Sequence, residues 1–350
     1  MNFEEETNNG EKHTWFLWRR DCIEVLDQRK LPFKEVWIKL EDENDVANAI
    51  KKMILRGAPA IGIAAAFGIV LGIKNLNLEN KEEIKKGFAR IKDKLLNTRP
   101  TAVNLKNSID SMEEELDRLL LHQDIDKEKI VEKLEEKAKN IWKEDYLACL
   151  KMGQLGATLI KEEYIFTICN TGSLATGGWG TAFSVIRSAH QQGKKIFVFV
   201  CETRPYLQGA RLTTWEMSKL KIPYALIPDS AASFVISKVK RGCVITGADR
   251  ITTDGHTANK IGTLSLAISA KYFGIPFYVV APTTTIGTDS QIPIEERDPE
   301  EVRKIYGKRI VPKNVQVKNY AFDITPPQLI SAIVTEKGVY HYPYNFDRWI

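Results

Sequence analysis

YIFTICNTGSLATGGWGTAFSVIRSAHQQGKKIFVFVC, residues 164–201, decides the fold. Two short apolar runs, YIFTIC (164–169) and KIFVFVC (195–201), flank a glycine-rich turn and a helix-length segment. Both runs are β-branched or aromatic and almost without charge, as in strands covered on both faces. The rhythm continues in PYALIP (223–228), CVITGAD (243–249) and PFYVVAP (276–282), alternating with further helix-length segments. Strands alternating with helices build an open parallel sheet with helices on both faces. Residues 151–350 are therefore read as an α/β domain.

Upstream the period changes. Residues 1–12 read as a disordered start, and Trp15 to Ile54 as an apolar-aromatic stretch with turn signals and a few strand-length pieces, then the helical pattern DVANAIKKMIL (45–55). RGAPAIGIAAAFGIVLGI (56–73) reads as a tightly packed helix opened near Pro59. Residues 79–97 and 108–155 are rich in Glu and Lys. Their apolar residues, such as Leu116, Leu119 and Leu120, then Ile130, Leu134, Ala138 and Ile141, recur at helical spacing. Residues 13–150 are thus a smaller, mainly helical N-terminal domain with a few short strands at its start.

The hydrophobic fraction of 43% and charged fraction of 27% are those of a soluble globular chain. Net charge is +5, and no basic block of the kind that binds nucleic acid occurs. The longest apolar run, Ala58 to Ile73, falls short of the ~20 residues that span a bilayer, so no membrane partner is expected. MNFEEETNNGEKH is too polar and acidic for a signal peptide. Five scattered cysteines (Cys22, Cys149, Cys169, Cys201 and Cys243) lack the spacing of a disulfide framework or a zinc site. A reducing cytoplasm is the expected location.

Ligands of open parallel sheets bind outside the carboxyl ends of the strands. There this sequence gathers polar groups: Cys169-Asn170-Thr171-Gly172-Ser173, Glu202-Thr203-Arg204, Asp229-Ser230 and Gly247-Ala248-Asp249-Arg250. TGSLATGGWG (171–180) leads into a helical segment, a setting that favours an anion, although glycine-rich βα turns also occur without ligands. Neither GxxxxGK[ST] nor GxGxxG is present. Read alone, Cys169 fits a buried small hydrophobe as well as a reactive thiol, and Cys201 and Cys243 are read as buried hydrophobes. Asp249 fits a turn cap or ion pair as well as a proton donor. Arg56 and Arg99 adjoin turn residues and suit phosphate, or simply face water. Lys260 is read at the opening of a helical run, ANKIGTLSLAISAKYF.

Eight segments taken in order are far more specific. RGAPAIGIAAAFG (56–68), TRPTAVNL (98–105), CNTGSLATGGWGTA (169–182), ETRPYLQGARLT (202–213), IPDSAA (227–232), GADRI (247–251), TANKIGT (257–263) and FDITPP (322–327) carry the pattern. From about residue 15 to 340 the chain resembles the methylthioribose-1-phosphate isomerase family of methionine salvage. The resemblance implies a small N-terminal domain joined to a Rossmann-like domain, a homodimer, and an aldose–ketose isomerisation that uses neither metal nor other cofactor. By motif it implies Cys169 and Asp249 as catalytic residues, Asp249 donating the proton. It places substrate contacts on Arg56, Gly57, Ala58, Arg99, Gln208, Asn259 and Lys260. His256 stands where the family pattern has an acidic residue, and Leu264 where an aromatic residue is frequent; both bear on the fit around the substrate's 5′ end.

The residue types suit the reaction. The anomeric oxygen is esterified, so an acid must protonate the ring oxygen as the C1–O bond breaks. A carboxyl does so if burial lifts its pKa above the ~3.9 of free Asp. Hydrogen then moves from C2 to C1, as a proton through an enediol or as a hydride. Cys169 serves as base in the first route or as transition-state stabiliser in the second. A phosphate clamp from Arg56, Arg99 and the glycine turn is expected to hold C1 in place. The rivals are isomerases of 5-deoxyribose 1-phosphate or ribose 1,5-bisphosphate, and the non-catalytic regulatory subunits of the eukaryotic translation-initiation exchange factor. Coexistence of Cys169, Asp249, Arg56 and Arg99 favours the enzyme over the regulatory subunit.

Overall fold

A computed structural model describes residues 15–76, 80–99, 102–122, 126–161, 163–239, 241–287, 292, 294 and 296–347. The start expected to be disordered, 1–12, lies outside the described residues, as do Pro100 and Thr101 of the TRPTAVNL segment. The chain divides into two compact units, 1–147 with 173–180, and 148–172 with 181–350. The eight residues 173–180 of the glycine-rich turn thus group with the first unit, whereas the sequence boundary at 150 is a single cut.

The first unit opens with a three-stranded antiparallel sheet, β1 (Phe16–Trp18), β2 (Ile23–Leu26) and β3 (Trp37–Leu40), in that order. Helix α1 (Glu43–Lys51) begins at Asp42, whose carboxylate accepts from the Asp45 N–H at 2.8 Å, an N-cap bond. Helix α2 (Ala58–Asn75) follows, with proline at one of its first two positions, where no backbone donor is lost. All fourteen residues from Ala60 to Ile73 are buried. By length and composition α2 would suit a bilayer, yet a helix apolar on every face is also what a protein core needs. Helices α1, α3 (Lys81–Leu96) and α4 (Val103–Leu120) surround it, and α2 is the core helix of this unit. The apolar stripes of α3 (Ile84, Phe88, Ile91 and Leu95) and α4 (Leu105, Ile109, Met112 and Leu116) are buried as their spacing predicts. Helix α5 (Lys127–Ala157) runs through the division between the units.

The second unit is built on a seven-stranded sheet. Its strands are β4 (Tyr164–Thr167), β5 (Phe197–Cys201), β6 (Tyr224–Ile227), β7 (Cys243–Thr246), β10 (Phe277–Val280), β15 (Ala332–Thr335) and β16 (Gly338–Tyr340). The spatial order is β16-β15-β10-β7-β4-β5-β6, parallel except for the closing β15–β16 hairpin. All five strands expected from the apolar runs are present; β15 and β16 are additions.

Side chains along each strand alternate between two cores. Ile165, Val198, Val200, Ile245 and Val280 pack against α6 (Ala182–Gln191), the end of α5 and Met217 of α7 (Thr214–Lys219). Phe166, Val244, Phe277, Val279 and Ile333 pack on the other face, against α8 (Ala232–Val239) and α9 (Thr263–Phe273). Each such aliphatic side chain taken from water contributes about 1.5–3 kcal/mol, so both faces must be covered. The sheet is therefore the expected one, with helices on both sides.

A second sheet was not foreseen. β8 (Arg250–Thr252) and β9 (Thr257–Lys260) form a hairpin directly after β7, flanked by β11 (Ile286–Gly287) and β14 (Phe322–Thr325) in the order β11-β8-β9-β14. Lys260 consequently ends a strand; the helix begins at Thr263, after Gly262 in a left-handed conformation. Polar TANK carries no apolar alternation, and its strand state comes from pairing on both sides with β8 and β14. A short helix α10 (Glu300–Arg303) and the ribbon β12 (Lys304–Ile305) with β13 (Lys308–Arg309) complete the described elements.

Candidate active site

Strand order locates the site. From β4 the chain fills one side of the sheet through β5 and β6, then returns to β7 on the other side of β4 and continues to β10 and β15. The order reverses between β4 and β7, and such switch points open a crevice at the strands' carboxyl ends. β4 and β7 are hydrogen-bonded neighbours in parallel register, Ile165 opposite Cys243 and Phe166 opposite Val244. Cys169 follows β4 and Asp249 follows β7, so both leave the sheet at the same end, on either side of the reversal. Their loops touch: a Cβ added at Gly247 would meet Thr171 Cγ2 at 2.9 Å.

Cys169 is buried and has a left-handed backbone, φ 69°. Gln208, also buried, donates its Nε2–H to Cys169 Sγ at 3.4 Å. Among the described residues Gln208 Oε1 has no hydrogen-bond partner, an orphaned buried acceptor beside the thiol. Gln208 precedes a π-helical turn, Gly209–Thr213, a form that recurs at functional sites. Gly209 is required there, because a Cβ would sit 1.8 Å from the Cys201 carbonyl oxygen. A buried polar set adjoins Cys169. Asn170 Nδ2 donates to Glu216 Oε2 at 2.5 Å, and Thr213 Oγ1 donates to the Cys169 carbonyl at 2.7 Å. The other strand-end cysteine, Cys201, is buried, and burial pushes its thiol far above the ordinary range.

The β8–β9 hairpin brings Asp249, Asn259 and Lys260 together. Asp249 N–H donates to the Ala258 carbonyl at 2.9 Å, next to Asn259. Asn259 and Lys260 are both buried although polar. Asn259 Nδ2 donates to Thr263 Oγ1 at 3.0 Å, and the Lys260 ammonium lies 4.6 Å from the centre of the Phe322 ring. Across the ladder Asp323 pairs with Asn259, and its carboxylate accepts from the N–H groups of Gly262 (2.7 Å) and Leu264 (3.0 Å) at the start of α9. Burial nevertheless pushes the Asp323 carboxyl above its usual range. His256 lies in the hairpin turn, half-buried, with Nδ1 3.0 Å from Asp254, whose carboxyl is held low by the Thr252 hydroxyl and by His256.

Arg56, Gly57, Ala58 and Arg99 belong to the first unit. Arg56 is buried, and Arg99 Nη1 lies 3.8 Å from Met53 Sδ, three residues before Arg56. Gly57 has φ +98°, and a Cβ on it would lie 2.4 Å from Ala175 Cα, so the RGA segment packs directly on the glycine-rich turn. That turn is held by Gln28 Nε2 on Leu174 O (2.7 Å), Trp15 Nε1 on Thr176 O (2.7 Å) and Trp142 Nε1 on Gly177 O (2.8 Å).

Thr203, Asp229 and Asn170 are rim residues in the sequence with no role given to them, and Thr213 is there only the end of the ETRPYLQGARLT segment. Their signal is backbone geometry at Cys169 and Thr203, which no residue type announces.

Comparison with known proteins agrees with this architecture. Residues 54–342 match the model of the initiation factor 2 subunit family. A methylthioribose-1-phosphate isomerase from Acetivibrio thermocellus is 49% identical over 328 residues, 92% of this chain and 95% of that protein. One from Aquifex aeolicus is 50% identical over 330 residues, 93% of this chain and 68% of its own length. Among solved structures, 5-methylthioribose 1-phosphate isomerase from Pyrococcus horikoshii superimposes with a TM-score of 0.89 at 41% identity, covering 95% of this chain and 94% of that one. Translation initiation factor eIF-2B, subunit delta, from A. fulgidus gives 0.85 at 40% identity, covering 96% and 98%. The chain belongs to the initiation factor 2 subunit family and, within it, to the methylthioribose-1-phosphate isomerases.

Proposed function

We propose that this protein converts 5-methylthio-D-ribose 1-phosphate to 5-methylthio-D-ribulose 1-phosphate, with Asp249 as proton donor and Cys169 as base or transition-state stabiliser. The observation that carries the reading is the placement of these two residues after adjacent strands at the switch point of the sheet. The names of relatives at 49% and 50% identity support the substrate. Cytoplasmic location and a homodimer belong to the same proposal, and light scattering on the purified protein tests the second.

Isomerisation leaves composition unchanged. Asp249 gives a proton to the ring oxygen as the C1–O bond opens, the hydrogen on C2 moves to C1, and C2 becomes the carbonyl as its hydroxyl proton passes to the Asp249 carboxylate. In one route Cys169 takes the C2 proton and an enediol intervenes. In the other a hydride passes from C2 to C1 and Cys169 stabilises the charge that develops. Solvent deuterium found at C1 of the product assigns the first route, and its absence assigns the second. Arg56 and Arg99 are assigned to the phosphate, for which a guanidinium fork supplies paired donors. Gln208, Asn259 and Lys260 are assigned to the sugar's oxygens, with Gly57 and Ala58 giving backbone contact.

The A. fulgidus neighbour's name keeps a regulatory reading in view. A regulatory subunit has no use for a thiol and a carboxyl at the same switch point. Phosphorus and proton NMR of methylthioribose 1-phosphate incubated with the protein tests the proposal: a ketose signal is expected, and an unchanged aldose contradicts it. 5-Deoxyribose 1-phosphate run in parallel is expected to react as well, since loss of a small apolar contact costs about 1–3 kcal/mol.

A further inference from the structure

Cys169 is gripped from both sides of its peptide. Its N–H donates to Thr203 Oγ1 at 2.9 Å, and its carbonyl accepts from Thr213 Oγ1 at 2.7 Å. Thr203 is itself fully buried and left-handed, φ 66°, and its hydroxyl donates onward to the Cys201 carbonyl at 3.0 Å. The next bonds reach the turn after β6: Thr203 N–H and Arg204 N–H each donate to one oxygen of the Asp229 carboxylate, both at 2.7 Å. One chain of bonds therefore crosses the ends of three neighbouring strands, from β6 through β5 to the residue after β4.

Among the described residues seven non-glycine residues have positive φ, and three of them, Cys169, Thr203 and Leu207, lie along this chain and its continuation to Gln208. A left-handed conformation in a residue with a Cβ persists only where its surroundings over-determine it. Thr203 supplies that determination at Cys169. Asp229 supplies it at Thr203, by accepting from two successive N–H groups.

We propose that Thr203, braced by Asp229, is a positioning residue that fixes the left-handed turn at Cys169 and so aims its thiol at Gln208 and the crevice. Thr203 acts on the backbone of Cys169. The inference rests on the role given to Cys169 above, and its first readout is independent of that role. Without the Oγ acceptor Cys169 relaxes from the left-handed turn, its thiol becomes easier to reach, and it is no longer placed for reaction.

The test compares Thr203→Val, Thr203→Ser and Asp229→Asn in the full chain. The rate of iodoacetamide modification is read at each cysteine by mass spectrometry, alongside kcat and KM. Thr203→Val is expected to raise modification of Cys169 at least about threefold with Cys201 and Cys243 unchanged, and to lower kcat about tenfold or more with KM within about twofold. Thr203→Ser, which keeps the oxygen, is expected to restore both. Asp229→Asn, which keeps one acceptor, is expected to move both in the same direction by about threefold, and serves if the valine variant fails to fold. Wild-type modification of Cys169 in Thr203→Val, or a serine variant no better than valine, overturns the inference. Global loosening exposes Cys201 and Cys243 as well, and that pattern also overturns it. Failure of the isomerase reading shows separately, as absence of turnover in the wild-type protein, while the modification rates still decide the role of Thr203.

Discussion

Two adjacent strands, β4 and β5, deliver a cysteine to the same end of the sheet, and the two thiols live differently. Cys201 is the last residue of β5, inside the regular ladder, with its side chain in the core that contains Phe166 and Ile227. Burial pushes its pKa far up, so it stays a neutral, inert thiol. Cys169 lies two residues beyond β4, where the chain has left the ladder and turned left-handed, and its sulfur meets the Gln208 amide. Strand-end position is common to both cysteines. The left-handed turn at Cys169 is not, and it is bonded to groups that follow β5 and β6.

The largest expected contrast is in turnover. Asp249→Asn and Cys169→Ala are each expected to reduce kcat by about 10²–10⁴-fold, the usual worth of a positioned acid or base. Cys201→Ala is expected to stay within about threefold of wild type and to cost about 1 kcal/mol of stability, as a small core truncation. Steady-state kinetics with denaturant melts checks both; equal losses at the two cysteines would erase the contrast.

Gly209→Ala comes next, since its Cβ must displace the Cys201 carbonyl from 1.8 Å. Overpacking of this kind costs about 1–3 kcal/mol or more, and here it would unwind the π-helical turn that carries Gln208. A drop of about tenfold or more in kcat is expected, because small misplacements near the chemistry are costly. A variant with native kinetics would show that the π turn is incidental.

The two thiols are also expected to differ toward a chemical probe. Cys201 is expected to remain unmodified by iodoacetamide even at about pH 9, since its raised pKa keeps the thiolate rare. Mass spectrometry of the labelled protein checks this.

Much of this was legible in the sequence, for physical reasons. Strands buried on both faces must be apolar throughout, so YIFTIC and KIFVFVC announce themselves, and the order of chain segments fixes which polar groups crown the sheet. Helices α3 and α4 were legible from their apolar stripes. The β8–β9 hairpin was not, because TANK contains three polar residues and is strand only through its neighbours. The same blindness put Lys260 at the head of a helix. Thr203 and Asp229 were visible as rim residues, but their service to Cys169 depends on left-handed dihedrals that the residue types do not encode. Arg56 and Arg99 were chosen for their chemistry and sit in the first unit, where Gly57 binds the RGA segment to the glycine-rich turn.

The smallest expected effect lies away from both thiols. Asp27 is buried, and its carboxylate accepts from Arg29 Nε and Nη2 at 2.8 Å and from Arg29 N at 3.0 Å. Burial alone would raise its pKa, but the Arg29 hydrogen bonds outweigh it and hold the carboxyl below its usual range. A depressed folded pKa stabilises the fold above the unfolded value of ~3.9 and loses that contribution as pH falls through the folded value. Asp27→Asn is therefore expected to cost about 1 kcal/mol at neutral pH, discounted because Arg29 is partly exposed, and to cost less as the pH falls below the ordinary aspartate range. Melts of the two proteins across that range check the sign. A deficit that does not shrink in acid would contradict it.

The central claim is that the carboxyl after β7 protonates a sugar ring beside the thiol after β4. Phosphorus NMR of methylthioribose 1-phosphate incubated with wild-type protein and with Asp249→Asn tests it most directly. Wild-type protein is expected to give ketose and the folded asparagine variant to leave the aldose unreacted; near-normal conversion by that variant would rule out Asp249 as the proton donor.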